Sequence, residues 1–264
     1  MFKGFRVESN FRFRSYANPY DKRANPVDMR PIKQMIMSGE PIDAQEVADK
    51  LFPSGNPDIF LSHSFKDKEK ALELAKILEN KDLTVFIDSE VWGSVYDLLR
   101  EIDNEYCWQG ETETYAYEKR NQSTAHVYMI LNTALHNMID RAEAFLFIGS
   151  ENSLVASARD MTSLSDDQKT YSPWIHSELM VSSMIRTRWP ERYLGRRGYT
   201  NKSEASMETF AEARTLTVEH PAPVEHLKLI DQATLEEWLG TVYTGSRALD
   251  QLYSLTGAGR LADV

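Results

Sequence analysis

Three short apolar runs, set between helix-length stretches, limit what this chain can fold into. Ile59, Phe60 and Leu61, then Val85, Phe86 and Ile87, then Phe145, Leu146 and Phe147 are compact runs of the kind that buried parallel strands show. Between the first two, residues 66–80 place Ala71, Leu74, Ala75 and Leu78 on one helical face. Before the third, residues 123–140 carry Val127, Ile130, Leu131, Ala134, Leu135 and Met138 on one stripe. Strand and helix alternate at the pace of βαβ units, which predicts an α/β fold whose central parallel sheet has helices on both faces.

The ends are less regular. The first fifty or so residues contain Pro19, Pro26, Pro31, Pro41 and Pro53 with little periodicity, so they are expected to wrap a core or dock a partner rather than build one. A short helix is expected over residues 43–51. The breaker cluster Pro53, Ser54, Gly55, Asn56 and Pro57 divides an N-terminal extension, 1–56, from a domain, 57–264. Late in the chain, residues 187–213 are irregular and basic, 214–218 and 227–230 read as a fourth and a fifth strand, and 234–239 open a final helix.

The net charge of −10 over 264 residues argues against generic binding to nucleic acid or an anionic membrane. Two basic stretches run against it, one with Arg6, Arg12, Arg14, Lys22, Arg23 and Arg30, the other with Arg186, Arg188, Arg192, Arg196 and Arg197; both are read as solvated faces. A single cysteine, Cys107, forms no internal disulfide and fits a reducing compartment. With no apolar leader in residues 1–10 and no run of membrane-spanning length, a soluble cytoplasmic protein is expected. His126, His136, His176, His220 and His226 lack zinc spacing, and neither a P-loop nor a dinucleotide glycine fingerprint occurs, so neither metal nor resident cofactor is expected.

Residues 172–179 hold the best candidate site. Ser172 can cap a helix and Pro173 suits its first turn, which puts Trp174 and Glu178 one turn apart on the same face. Trp and Glu at that spacing also occur in ordinary amphipathic helices, so the weight comes from their place after the strands. Ser62, His63 and Ser64 follow the first strand, at the carboxyl edge where ligands of open α/β sheets bind. Their hydroxyls and backbone N–H groups could hold a ligand, while His63 reads equally as a structural loop histidine. Residues 89–94 form a loop after the second strand, in which Trp92 is an interface anchor or a lid residue.

The order of these motifs resembles the Toll/interleukin-1 receptor (TIR) domain. Asp58, Ile59, Phe60, Leu61, Ser62, His63 and Ser64 match its first strand, with His63 at an aromatic's place. Leu83 to Asp88 and then Gly93 match its second strand and following loop, and the strand closing on Gly149 and Ser150 matches its third. Ser172, Trp174, Glu178 and Leu179 meet its tryptophan–glutamate signature, with Ile175 replacing a cysteine; Trp174 to Glu178 look most like the form found in TIR domains that consume NAD+.

The resemblance covers roughly residues 57–252; stretches 95–122 and 187–213 are longer than the family needs, and the N-terminal segment has no counterpart. It implies a flavodoxin-like fold and cleavage of the bond between nicotinamide and ribose, with NAD+ as substrate. Glu178 would be the catalytic carboxylate, and Ser62, His63, Ser64, Trp92 and Trp174 would bind substrate. It also implies self-association through TIR–TIR contacts at residues 89–94, a linear, cyclic or conjugated ADP-ribose product, and an anti-phage role with a separate effector receiving the signal. Two other readings stand beside it: a scaffold that signals by assembly alone, and an enzyme like the nucleoside deoxyribosyltransferases, which also set a glutamate at a ribose.

Overall fold

A five-stranded parallel sheet organises the chain, in a computed structural model that describes residues 1–8, 11, 28–155, 168–193 and 218–258. In chain order the elements begin with β1 (Lys3–Glu8), α1 (Arg30–Met37), α2 (Ala44–Leu51), β2 (Ile59–Ser62), α3 (Lys68–Glu79), β3 (Val85–Ile87) and α4 (Ser89–Ile102). A π-helical turn, Asp103–Cys107, leads to the small hairpin β4 (Trp108–Gln109) and β5 (Thr114–Tyr115), then α5 (Tyr117–Arg141) and β6 (Ala144–Gly149). The pair β7 (Lys169–Thr170) and β8 (His220–Pro221) flanks α6 (Pro173–Met184), and the described chain closes with β9 (Lys228–Ile230), α7 (Gln232–Gly240) and α8 (Ser246–Leu255).

The three apolar runs form β2, β3 and β6, paired in parallel as expected. The sheet order is β3-β2-β6-β1-β9, which is consistent with the flavodoxin-like order 2-1-3-4-5 except that the fourth place is taken by β1. Residues 3–8 thus help to build the core that the first fifty or so residues were expected to wrap rather than build. Lys3 to Glu8 pair with β6 on one side and β9 on the other, and Phe5 and Val7 are fully buried. The cause is an alternation, Phe5 and Val7 against Arg6 and Glu8, that drives one face of the strand into the core. The expected fourth strand, 214–218, lies outside the described residues except for Val218, and the sheet position beside β6 is filled by β1.

Each sheet face packs its own apolar layer. Phe5, Val7, Ile59, Leu61, Ile87, Leu146, Ile148 and Ile230 pack against α3, α7 and α8, whose Trp238 donates its indole N–H to the Ala248 carbonyl at 2.7 Å. Phe60, Phe86, Phe145 and Phe147 pack against α1, α2, α4, α5 and α6 on the other face. Asp43 caps α2 through the N–H groups of Gln45 and Glu46, as the local sequence predicts.

Residues 89–94 are not a loop but the first turns of α4. Val91, Val95, Leu98 and Ile102 recur at helical spacing, and packing that stripe on α1 and α5 outweighs the breaking tendency of Gly93. The Trp92 side chain lies outside what is described. Among the described residues, no helix is long and apolar enough to cross a membrane.

Candidate active site

Helix α6 is fixed from both sides. The Ser172 hydroxyl accepts the Ile175 N–H at 3.2 Å, with Pro173 in the first turn. Toward α5, the Ser177 hydroxyl donates to Asn132 Oδ1 at 2.7 Å and lies 2.7 Å from His136 Nε2, whose N–H therefore donates to it. Toward the other side, His176 Nδ1 donates to the Pro221 carbonyl at 2.6 Å, and Ser182 lies 2.9 Å from His226 Nε2. These contacts set the rotation of α6 so that Glu178 faces the end of β2.

Glu178 is wholly buried, 0 % exposed. The Ser62 hydroxyl donates to its Oε2 at 2.5 Å, while Oε1 is buried with no donor among the described residues. Burial raises the Glu178 pKa well above the usual carboxylate range, the neighbouring Asp88 carboxylate adds to the rise, and the Ser62 hydrogen bond opposes it. Asp88, the acid at the end of β3, is itself buried, and its Oδ1 lies 3.4 Å from His63 Nδ1. Burial pushes the His63 pKa below its ordinary value, with Asp88 opposing, which favours a neutral imidazole. The Ser89 hydroxyl, next along the chain, is also buried without a partner.

Two residues named from the sequence, Ser62 and Glu178, are thus in direct contact, and His63 joins them through Asp88. Asp88 was legible only as the acid closing a strand; its pairing with Glu178 is made by the tertiary fold. Ser64 is buried at the start of the 3-10 turn Phe65–Asp67, its carbonyl accepting the Asp67 N–H at 2.8 Å. Trp174 packs edge-on to Tyr128 of α5, with ring centres 5.6 Å apart, one turn before Glu178.

Cavities open elsewhere among the described residues. One of about 780 Å³ lies between α1, α2, α4 and α5, lined by Ile36, Leu98, Tyr106 and His126 among others; one of about 590 Å³ lies between α2 and α5. Neither reaches Glu178. Among the described residues, no three His, Cys, Asp or Glu side chains are grouped to hold a metal ion. No family model matches the chain, and no curated protein or solved structure matches it.

A carboxylate pair shut away from water costs folding free energy, several kcal/mol per uncompensated charge in general. Buried carboxyl groups whose pKa values are displaced by desolvation and by a like-charged neighbour are the kind of arrangement that functional sites use.

Proposed function

We propose that the protein is a TIR-type enzyme that cleaves the nicotinamide–ribose bond of NAD+, releasing nicotinamide and an ADP-ribose product. One observation carries the reading: the Glu178 carboxyl group, buried, raised in pKa and held by Ser62, sits at the carboxyl edge of a parallel sheet. Two of the motif blocks on which the TIR resemblance rests, far apart in the chain, meet there.

Nicotinamide leaves NAD+ as a neutral base from a cationic ring, so the departure needs little acid assistance. The enzyme must stabilise an oxocarbenium-like ribose and hold its orientation. In this reading the cationic ring, on entering, favours the ionised form of Glu178. The carboxylate then accepts hydrogen bonds from ribose hydroxyls while its charge stabilises the positive character developing at the anomeric carbon. The C–N bond breaks with its electron pair going to nicotinamide, and water completes the hydrolysis. Because Glu178 is wholly buried, the residues covering it must move before substrate enters. Self-association and a separate effector that receives the nucleotide product belong to the same proposal.

The test is nicotinamide release from NAD+ by the purified chain beside Glu178→Ala, followed chromatographically over a range of protein concentrations. Release by the parent protein, lower by a hundredfold or more in the variant, is the expected result, on the order of what removing one preorganised electrostatic group costs. Equal turnover by both proteins removes Glu178 from its role. Oligomers that leave NAD+ intact at every concentration overturn the enzymatic reading in favour of a scaffold.

A further inference from the structure

Arg6 does not behave as part of a solvated basic face. It lies on β1 inside the sheet, in register with Phe147 of β6, and Phe147 is in register with Ser62 of β2. Parallel partners in register point to the same face, so Ser62, Phe147 and Arg6 form one row across the face that α6 covers. Two strand spacings, about 10 Å, separate the backbones of Arg6 and Ser62.

The side chain leans toward the carboxyl edge. A Cβ on Gly149, two residues beyond Phe147, would come within 2.5 Å of Arg6 Nε, 3.1 Å of its Cγ and 3.2 Å of its Cδ. The guanidinium stem therefore lies over the end of β6, the strand between β1 and β2, and only glycine leaves room for it. Of the five N–H donors a guanidinium carries, Nη1 donates to Gln168 Oε1 at 3.2 Å, and Nε is buried with no acceptor. Gln168 directly precedes β7, which leads into α6. Burial lowers the Arg6 pKa and Glu8 opposes that effect through space, but no ion pair joins the two among the described residues. A half-buried cation whose one hydrogen-bond acceptor among the described residues is a neutral amide, at the carboxyl edge of a parallel sheet, suits an anion.

We propose that Arg6, cradled over Gly149 and steadied by Gln168, forms a diphosphate-binding subsite that holds the phosphate oxygens of the substrate while its ribose lies at Glu178. The subsite deepens the reading of Glu178 as the ribose-side carboxylate and rests on it for the identity of the dinucleotide. A planar fork that bonds two phosphate oxygens at once would fix the direction in which the substrate lies along the sheet edge.

The experiment measures calorimetric affinity for inorganic pyrophosphate and ADP-ribose in the parent protein, Arg6→Gln, Arg6→Lys and Gly149→Ala, with thermal unfolding of each as a folding control. It also measures KM and kcat for NAD+ and for nicotinamide riboside, which lacks the diphosphate. The expected result is ADP-ribose binding weakened about tenfold to a hundredfold in Arg6→Gln, a partial loss in Arg6→Lys, and a higher KM for NAD+ with nicotinamide riboside unaffected. If Arg6→Gln fails to fold, Gly149→Ala decides, since its methyl group displaces the guanidinium. Equal ADP-ribose affinity in the parent and the folded variants overturns the subsite, as does a parent protein that binds neither anion. Arg6-dependent anion binding without nicotinamide release upholds the subsite and overturns the Glu178 chemistry.

Discussion

Two buried carboxyl groups stand close to the same strand end, and their surroundings differ. Asp67, in the turn after β2, accepts hydrogen bonds from the Ser150 hydroxyl and from Asn152 Nδ2, and has Lys70 Nζ 3.9 Å away. It joins the β2 and β6 loops, and its oxygens are used. Glu178 is buried at least as deeply, yet among the described residues its only hydroxyl donor is Ser62, and its other polar neighbour is a second carboxyl group, Asp88, whose contact raises its pKa. Burial is common to both. What separates a structural acid from a candidate catalytic one is unused hydrogen-bonding capacity beside a like charge.

The comparison can be broken most sharply at the glutamate. Glu178→Gln keeps an oxygen that can accept the Ser62 hydrogen bond but removes the charge, so nicotinamide release should fall by about a hundredfold or more while the fold is kept. A variant that instead unfolds and retains its turnover when stabilised would make Glu178 the structural acid. The converse change, Asp67→Ala, strips acceptors from Ser150 and Asn152 and should cost about 2 kcal/mol or more. Chemical denaturation would read that loss, and NAD+ cleavage by the folded fraction should remain near the parent value.

A finer test uses Ser62. Its hydrogen bond lowers the Glu178 pKa, so Ser62→Ala should raise that pKa further. If the ionised form reacts, the acid limb of the kcat/KM profile moves to higher pH, about tenfold in rate on that limb for each unit of displacement. A limb that stays in place assigns the titration to another group.

The smallest effect is on stability. A carboxyl group whose pKa is raised by folding contributes stability that is fully present below its unfolded value, near 4.5, and is lost as pH rises through the folded value. Glu178→Gln lacks this loss, so its melting temperature should gain on the parent as pH rises above about 4.5, by ~2–4 °C for each kcal/mol. A constant difference across that range would mean that Glu178 is not carrying the raised pKa.

Much of the scaffold was legible because local patterns and tertiary environment agree. The runs at Ile59 and Phe145 are buried on both sides, that at Val85 nearly so, and the stripes of α3 and α5 meet the sheet where periodicity puts them. The Ser172 cap fixed the start of α6 from sequence alone. Strand β1 was obscured because its charged residues, Arg6 and Glu8, alternate with Phe5 and Val7 inside a basic, proline-rich stretch, so charge spoke louder than alternation. Helix α4 was obscured by Gly93 and by the nearby Ser89 and Ser94, although Val91, Val95, Leu98 and Ile102 carried the helical period. At the site, Glu178 and Ser62 could be named by motif, whereas Asp88 entered only through the crossing of α6 over the strand ends, which no local spacing encodes.

The central place of β1 shapes how the nascent chain matures. Phe5 finds its neighbours only when Leu146 and Lys228 have been made. At typical translation speeds the wait for β6 alone is on the order of ten seconds. During it, Phe5 and Val7 have no sheet to join, and the sheet is complete only once Lys228 to Ile230 have been made. Such long-range closure is slow by topology, and until it is reached the strand's hydrogen-bonding edges stay unpaired.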